Sequence, residues 1–162
     1  MRVIGIDPGT ARLGFAILDF DKKNSAPVII DCGIISTTKE LSEAERLCEI
    51  RKDLQEILNI YKPEYAAIEK LFFFKNLKTI IPVAQARGVC MELLANQNLC
   101  INEYTPLEMK KIITGNGMAK KDFVSKVIHE FLELKQAIKP DDAVDAIGLA
   151  LCFIRTKAMT KI

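Results

Sequence analysis

Four acidic residues stand at the ends of apolar runs, and a chain that carries them there is restricted in how it can fold. Asp7 ends Val3-Ile4-Gly5-Ile6, Glu69 ends Tyr65-Ala66-Ala67-Ile68, and Asp142 and Asp145 open the apolar stretch 143–154. An ionised carboxylate at the edge of a core is costly unless it is paired or bound to metal. No Lys or Arg interrupts the three runs themselves. The pattern therefore points away from internal ion pairs and toward several oxygen ligands converging on hard divalent cations, Mg²⁺ or Mn²⁺. Such a site implies phosphate chemistry.

Spacing sharpens this reading. Asp142 and Asp145 are three apart and share one face of a helix, in the first turn, where the helix dipole favours negative charge. That preference accounts for Asp141 and Asp142. It does not account for Asp145, because Ala143, Val144, Ala146, Ile147, Ala150 and Leu151 mark a largely buried helix. Two cations about 4 Å apart, bridged by such carboxylates, can activate water and stabilise the leaving oxygen of a phosphodiester. The single histidine, His129, lies on an amphipathic helix with no acidic ligand motif around it and is expected to be a surface or structural residue. That weighs against a His-based nuclease or a Ser-His hydrolase.

The 162 residues, 49% of them hydrophobic, suffice for one good core, and a single domain over 1–162 is expected. No apolar run reaches the length of a membrane span, and because the first residues read as leading straight into a strand, a signal peptide is not expected. Cys32, Cys48, Cys90, Cys100 and Cys152 are odd in number with no close pair, which disfavours zinc or disulfides and suits a reducing cytoplasm. Between Lys70 and Lys126 nine cations face four anions, a net of +5 in a chain whose total is +2. One basic face suited to a polyanion is the functional reading of that asymmetry.

Periodicity predicts strands over 3–7, 13–19 and 28–36 joined as an antiparallel meander, with polar turn material over 21–24. Ser42 and Glu45 form a capping box before a helix whose core face is Leu47, Ile50, Leu54, Ile57, Leu58 and Tyr61. A strand over 65–69, a long helix over 77–96 rich in small residues and a strand over 99–104 follow. Thr105-Pro106-Leu107-Glu108 opens another helix. Residues 114–117 form a loop, 120–134 an amphipathic helix, and the last helix runs to about Arg155. The order is that of a mixed α/β domain.

Several motifs resemble the RuvC family of bacterial Holliday-junction resolvases. They are Gly5-Ile6-Asp7-Pro8-Gly9-Thr10 with Leu13-Gly14, Ile68-Glu69-Lys70-Leu71-Phe72, Asn76, and Gln85-Ala86-Arg87-Gly88-Val89. Lys110, Thr114-Gly115-Asn116-Gly117, Ala119, Lys121 and Asp142-Ala143-Val144-Asp145-Ala146 continue the likeness in family order. The resemblance implies a ribonuclease H-like mixed sheet flanked by helices, a homodimer, and an endonuclease using two Mg²⁺ ions per site, with Mn²⁺ able to substitute. It implies symmetric paired nicks in four-way junction DNA during recombination and repair, in company with the branch-migration proteins RuvA and RuvB. Asp7, Glu69, Asp142 and Asp145 match the family's catalytic and metal-binding carboxylates. Phe72 matches its base-stacking aromatic, with Phe73 and Phe74 as neighbouring alternatives for that contact. Lys110 and Lys121 match its phosphate-contacting lysines, and Lys111 and Lys120 beside them are candidates for the same role. The helix around Val83, Ala84, Ala86, Val89 and Leu93 is the expected dimer contact.

Three other readings compete. The Gly-Ile-Asp-x-Gly-Thr opening also suits an ATP-binding protein of the actin and sugar-kinase type, which needs two such domains. Another ribonuclease H-like nuclease acting on structured RNA would share the acids but not the match through Phe72, Lys110 and Lys121. A junction-binding module without catalysis would not need all four acids.

Overall fold

Alternate residues of a strand face opposite sides of a sheet, and here both sides are covered. In the computed structural model, which describes residues 1–21, 23, 26–71 and 77–158, Ile4 and Ile6 face one core and Val3 the other. The strands are β1 (Arg2–Asp7), β2 (Arg12–Asp19), β3 (Val28–Ser36), β4 (Tyr65–Glu69) and β5 (Cys100–Tyr104). They form one sheet in the order β3-β2-β1-β4-β5. β1 pairs antiparallel with β2 and parallel with β4, and β4 pairs parallel with β5. The antiparallel meander of the first three strands is as expected.

Helices α1 (Glu43–Tyr61) and α2 (Leu77–Asn96) cover one face, with Ile50, Leu54, Leu58, Ala86, Cys90, Leu93 and Leu94 packed on Ile4, Ile6, Leu13, Phe15, Ile17, Ala66 and Ile68. Helices α3 (Pro106–Thr114), α4 (Lys121–Phe131) and α5 (Asp141–Phe153) cover the other. Both predicted capping boxes are present. Ser42 and Thr105 accept from the backbone N–H groups of Glu45 and Glu108, whose carboxylates accept from the N–H groups of the two caps. None of the described helices is long and apolar enough to cross a membrane.

Two local expectations change. α4 stops at Phe131 rather than near 134, because Glu133 adopts a left-handed conformation with φ 50°. Leu134 N–H then returns to the carbonyl of His129, the closing pattern of a helix end that usually falls on glycine. In α2, Ala86 and Leu93 are fully buried in the core beside α1, so they are not available to a dimer contact. The outward face of this helix carries Ile81, Gln85, Gly88 and Glu92 instead. The 21–24 turn lies partly outside the described residues.

The α5 face of the sheet is built from small residues. Gly5, Gly14, Ala16 and Ala67 alternate with the large side chains that point to α1 and α2. A Cβ on Gly5 would sit 1.9 Å from the carbonyl oxygen of Ala146, and one on Gly14 would sit 2.1 Å from that of Asp142. Neither glycine has a positive φ. They are required by space, because the backbone of α5 lies directly against β1 and β2.

Candidate active site

That close approach assembles the acids. Asp7 follows Val3 and Gly5 at period two, and Glu69 follows Ala67, so both side chains leave their strands on the α5 face. β1 and β4 are parallel neighbours whose register pairs Ile6 with Ile68, which sets the two acids side by side at the same sheet end. β2 pairs Gly14 with Asp7, and it is over Gly14 that the first turn of α5 lands. Asp142 in that turn, and Asp145 in the next turn rather than the expected first one, are thereby delivered to the strand ends.

The electrostatics record this convergence. Burial pushes the Asp7 carboxyl up to about 8, and the charges of Glu69, Asp145 and Asp142 add to the shift while Lys121 opposes it. Glu69 is raised to about 7 by burial and by Asp145, again with Lys121 in opposition. Like charges held near one another in a low-dielectric pocket favour the neutral forms, and a divalent cation relieves the same strain. Among the described residues, no three His, Cys, Asp or Glu side chains are gathered into a ready metal-binding group. The four acids share a field and a position rather than a closed cage. Their donor chemistry fits a hard cation, since all are oxygen ligands, two are mostly buried, and one lysine is the cation that opposes both raised acids.

That lysine qualifies the reading that points away from internal ion pairs. Lys121 Nζ lies 2.8 Å from Asp145 Oδ2 and 3.7 Å from Asp141 Oδ2. Partial burial works against its charge, but its hydrogen bond to Asp145 and the surrounding carboxylates raise its pKa overall. The partner comes from α4, not from within the apolar runs. Lys121 also lines a cleft with Glu69, Pro106, Met109, Lys110, Val124 and Asp145, so Lys110 and Lys121 flank the acids as the motif order implied. Lys111 and Lys120 are exposed nearby on α3 and at the start of α4. Phe72, Phe73 and Phe74 lie outside the described residues.

A wider hollow at the opposite end of the sheet is lined by Arg2, Asp19, Phe20, Tyr61 and Glu64 among others. There Arg2 holds Asp19 through two bonds of 2.7 Å and donates to the carbonyl of Tyr61. His129 is structural, as expected: its Nδ1 lies 2.8 Å from the Ser125 carbonyl oxygen, and its Nε2 accepts from the N–H of Ile138. In the sequence Arg87 is only a charge and part of a motif. Its guanidinium in fact donates to the Glu69 carbonyl at 3.0 Å, a contact no local pattern announces.

Comparison with known proteins agrees with this geometry. The family model for crossover junction endodeoxyribonuclease RuvC matches residues 3–153. A protein of that name from Fusobacterium nucleatum is 47% identical over 156 residues, 96% of this chain and 81% of the relative. The Thermus thermophilus RuvC structure superposes with a TM-score of 0.87 at 27% identity, covering 96% of each chain. The structure of T. thermophilus RuvC in complex with Holliday junction substrate, at 24% identity and a TM-score of 0.85, shares the fold over 97% of each chain. With a family match over nearly its whole length, on a scaffold that brings the four acids together, the chain belongs to the crossover junction endodeoxyribonuclease RuvC family.

Proposed function

We propose that this chain resolves four-way DNA junctions as a metal-dependent endonuclease, with Asp7, Glu69, Asp142 and Asp145 holding the cations. The observation that carries the reading is the meeting of two strand-end acids with two helix acids in one mutually repelling cluster. Family membership sets aside the nucleotide-binding and RNA-directed alternatives. In this reading residues 1–162 act as a single nuclease domain in the cytoplasm. Two copies form a homodimer so that opposed strands are cut symmetrically, with RuvA and RuvB as partners in branch migration.

Two Mg²⁺ ions per site, replaceable by Mn²⁺, would supply an activated water and charge stabilisation for the leaving 3′ oxygen. The chain's own residues do the rest. Asp7 and Glu69, on strand ends, and Asp142 and Asp145, on α5, would hold the cations. Lys121, within reach of Asp145, and Lys110 across the cleft orient the scissile phosphate. Lys111 and Lys120 contact the neighbouring backbone without reading sequence. Phe72 or Phe73, just beyond β4, stacks on bases unpaired at the crossover, a contact worth about 1–3 kcal/mol per base.

The test is incubation with Mg²⁺ and labelled four-way junction, linear duplex and RNA–DNA hybrid. Paired nicks in the junction alone are expected. Asp7→Asn, Glu69→Gln, Asp142→Asn and Asp145→Asn should each remove cleavage while junction affinity in EDTA stays equal or tightens slightly. Full cleavage by Asp7→Asn would refute the assignment of the acids.

A further inference from the structure

The exit of β4 has to be held by something other than the sheet. Lys70 N–H donates to the carbonyl of Tyr104 on β5 at 2.8 Å. The Glu69 carbonyl belongs to the same planar peptide and therefore points the other way, toward β1. On that side strand pairing ends with Ile6 and Ile68. β1 then runs on through Asp7 into Pro8, which carries no N–H to offer. The last carbonyl of the active-site strand is thus left without a ladder donor, and an unpaired carbonyl beside a core is costly.

Arg87 supplies the donor. It comes from α2, on the sheet face opposite to α5, and its Nε donates to the Glu69 carbonyl at 3.0 Å. Its Nη2 forms an ion pair with Glu103 on β5, the residue in register with Ile68. The Arg87 side chain is 19% exposed and that of Glu103 39%. The helix beneath is pinned by Ala86 and Cys90, both fully buried. A guanidinium held at both ends by a rigid helix and a neighbouring strand cannot drift far, and its planar fork suits two acceptors at once.

We infer that Arg87 is a positioning residue for the cleavage reaction, fixing where the Glu69 carboxylate stands by gripping its backbone from behind the sheet, with Glu103 steadying the grip. The Glu69 side chain faces α5 while Arg87 arrives from α2, so the effect runs through geometry and not through a direct charge contact. Groups that orient a metal ligand are worth about 10–100-fold in metal affinity or activity when removed. This inference rests on the reading of Glu69 as a metal-holding carboxylate.

The experiment compares wild type with Arg87→Ala, Arg87→Lys and Glu103→Gln, using Arg51→Ala as a control. Arg51, on α1, also pairs with α2, its Nε lying 3.7 Å from Glu92 on the exposed surface. Three quantities are read: junction affinity in EDTA, Mn²⁺ affinity by calorimetric titration without DNA, and junction cleavage rate against Mg²⁺ concentration. Arg87→Ala should weaken Mn²⁺ binding and raise the Mg²⁺ needed for half-maximal cleavage, each by about tenfold or more, with EDTA affinity within twofold. Arg87→Lys keeps the charge but loses the fork and should show most of the same loss. Glu103→Gln should lie between, and Arg51→Ala should match wild type.

Wild-type Mn²⁺ affinity and Mg²⁺ dependence in folded Arg87→Ala would overturn the inference and leave Arg87 a structural strut. If Arg87→Ala does not fold, the same two values in Arg87→Lys and Glu103→Gln decide in the same way. A wild type that binds Mn²⁺ but cuts no junction would instead sink the nuclease reading, while the Mn²⁺ comparison still decides the role of Arg87.

Discussion

A carboxylate whose proton is held more tightly in the folded chain makes folding depend on pH. Asp7 is raised from the usual aspartate value near 3.8 to about 8 by burial first and by its acidic neighbours second. The stabilising contribution of the protonated form is complete below about pH 4 and is lost as pH rises through 8. Asp7→Asn has no charge to lose. In a chelator it should therefore be more heat-stable than wild type at pH 8.5, with the gap closing as pH falls toward 4. After discounting for solvent at the pocket mouth, the gap should be on the order of 1–3 kcal/mol, with each kcal/mol worth roughly 2–4 °C in Tm for a chain of this size. Differential scanning calorimetry checks it, and a variant less stable than wild type at pH 8.5 would contradict the repelling cluster. Because protons and cations compete for the same oxygens, the Mg²⁺ concentration for half-maximal cleavage should rise as pH drops below 7. The acids themselves were legible in the sequence, since they end apolar runs. The Lys121–Asp145 pair was not, because its members are 24 positions apart on different helices.

Between elements, the decisive contact is α5 on β1 and β2. Gly14→Ala would place a methyl group 2.1 Å from the backbone oxygen of Asp142, and neither backbone can give way without moving the helix that carries two of the acids. Overpacking of this kind costs typically about 1–3 kcal/mol. Loss of cleavage beyond the loss of folded protein is expected, since the displaced turn bears Asp142. Gly33→Ala is the matched control, meeting only the Phe15 ring at 3.2 Å. Cleavage per folded molecule, from activity and near-UV circular dichroism on the same samples, separates the two effects. Equal specific activity in Gly14→Ala and wild type would show that the helix tolerates the shift. Helix starts at Ser42 and Thr105 were readable because capping boxes are local chemistry. The end of α4 was not, because Glu133 takes a left-handed turn usually reserved for glycine.

For the whole molecule, symmetric cutting asks for two related sites. With Ala86 and Leu93 committed to the core, α2 still exposes a strip at Ile81, Gln85, Gly88 and Glu92. Space beside Gly88 is open, with nothing within 4 Å of where a Cβ would stand. Gly88→Ala should stabilise an isolated chain by roughly 0.5–1 kcal/mol, the usual gain on replacing a helix-interior glycine. Gly88→Arg should leave the fold intact but weaken self-association if this strip is the dimer contact. Sedimentation across micromolar concentrations reads the outcome, and an unchanged dimer in Gly88→Arg would move the contact elsewhere.

The sequence by itself determined which stretches become strands and helices, which faces are apolar, and which acids stand at the ends of apolar runs with no cation inside those runs. Those properties depend on neighbours two to four positions away, within reach of side-chain periodicity and capping. Its family motifs named the same four acids. Tertiary structure alone decided the strand order, with β4 inserted between β1 and β5, and so the side-by-side placement of Asp7 and Glu69. It alone decided that Lys121 answers Asp145 and that Arg87 holds the end of β4. It also set the raised proton affinities of Asp7 and Glu69, which arise from burial and from charges brought together across the fold. Each of these depends on distances between residues far apart in the chain, and such distances exist only once α5 has closed against the small-residue face of the sheet.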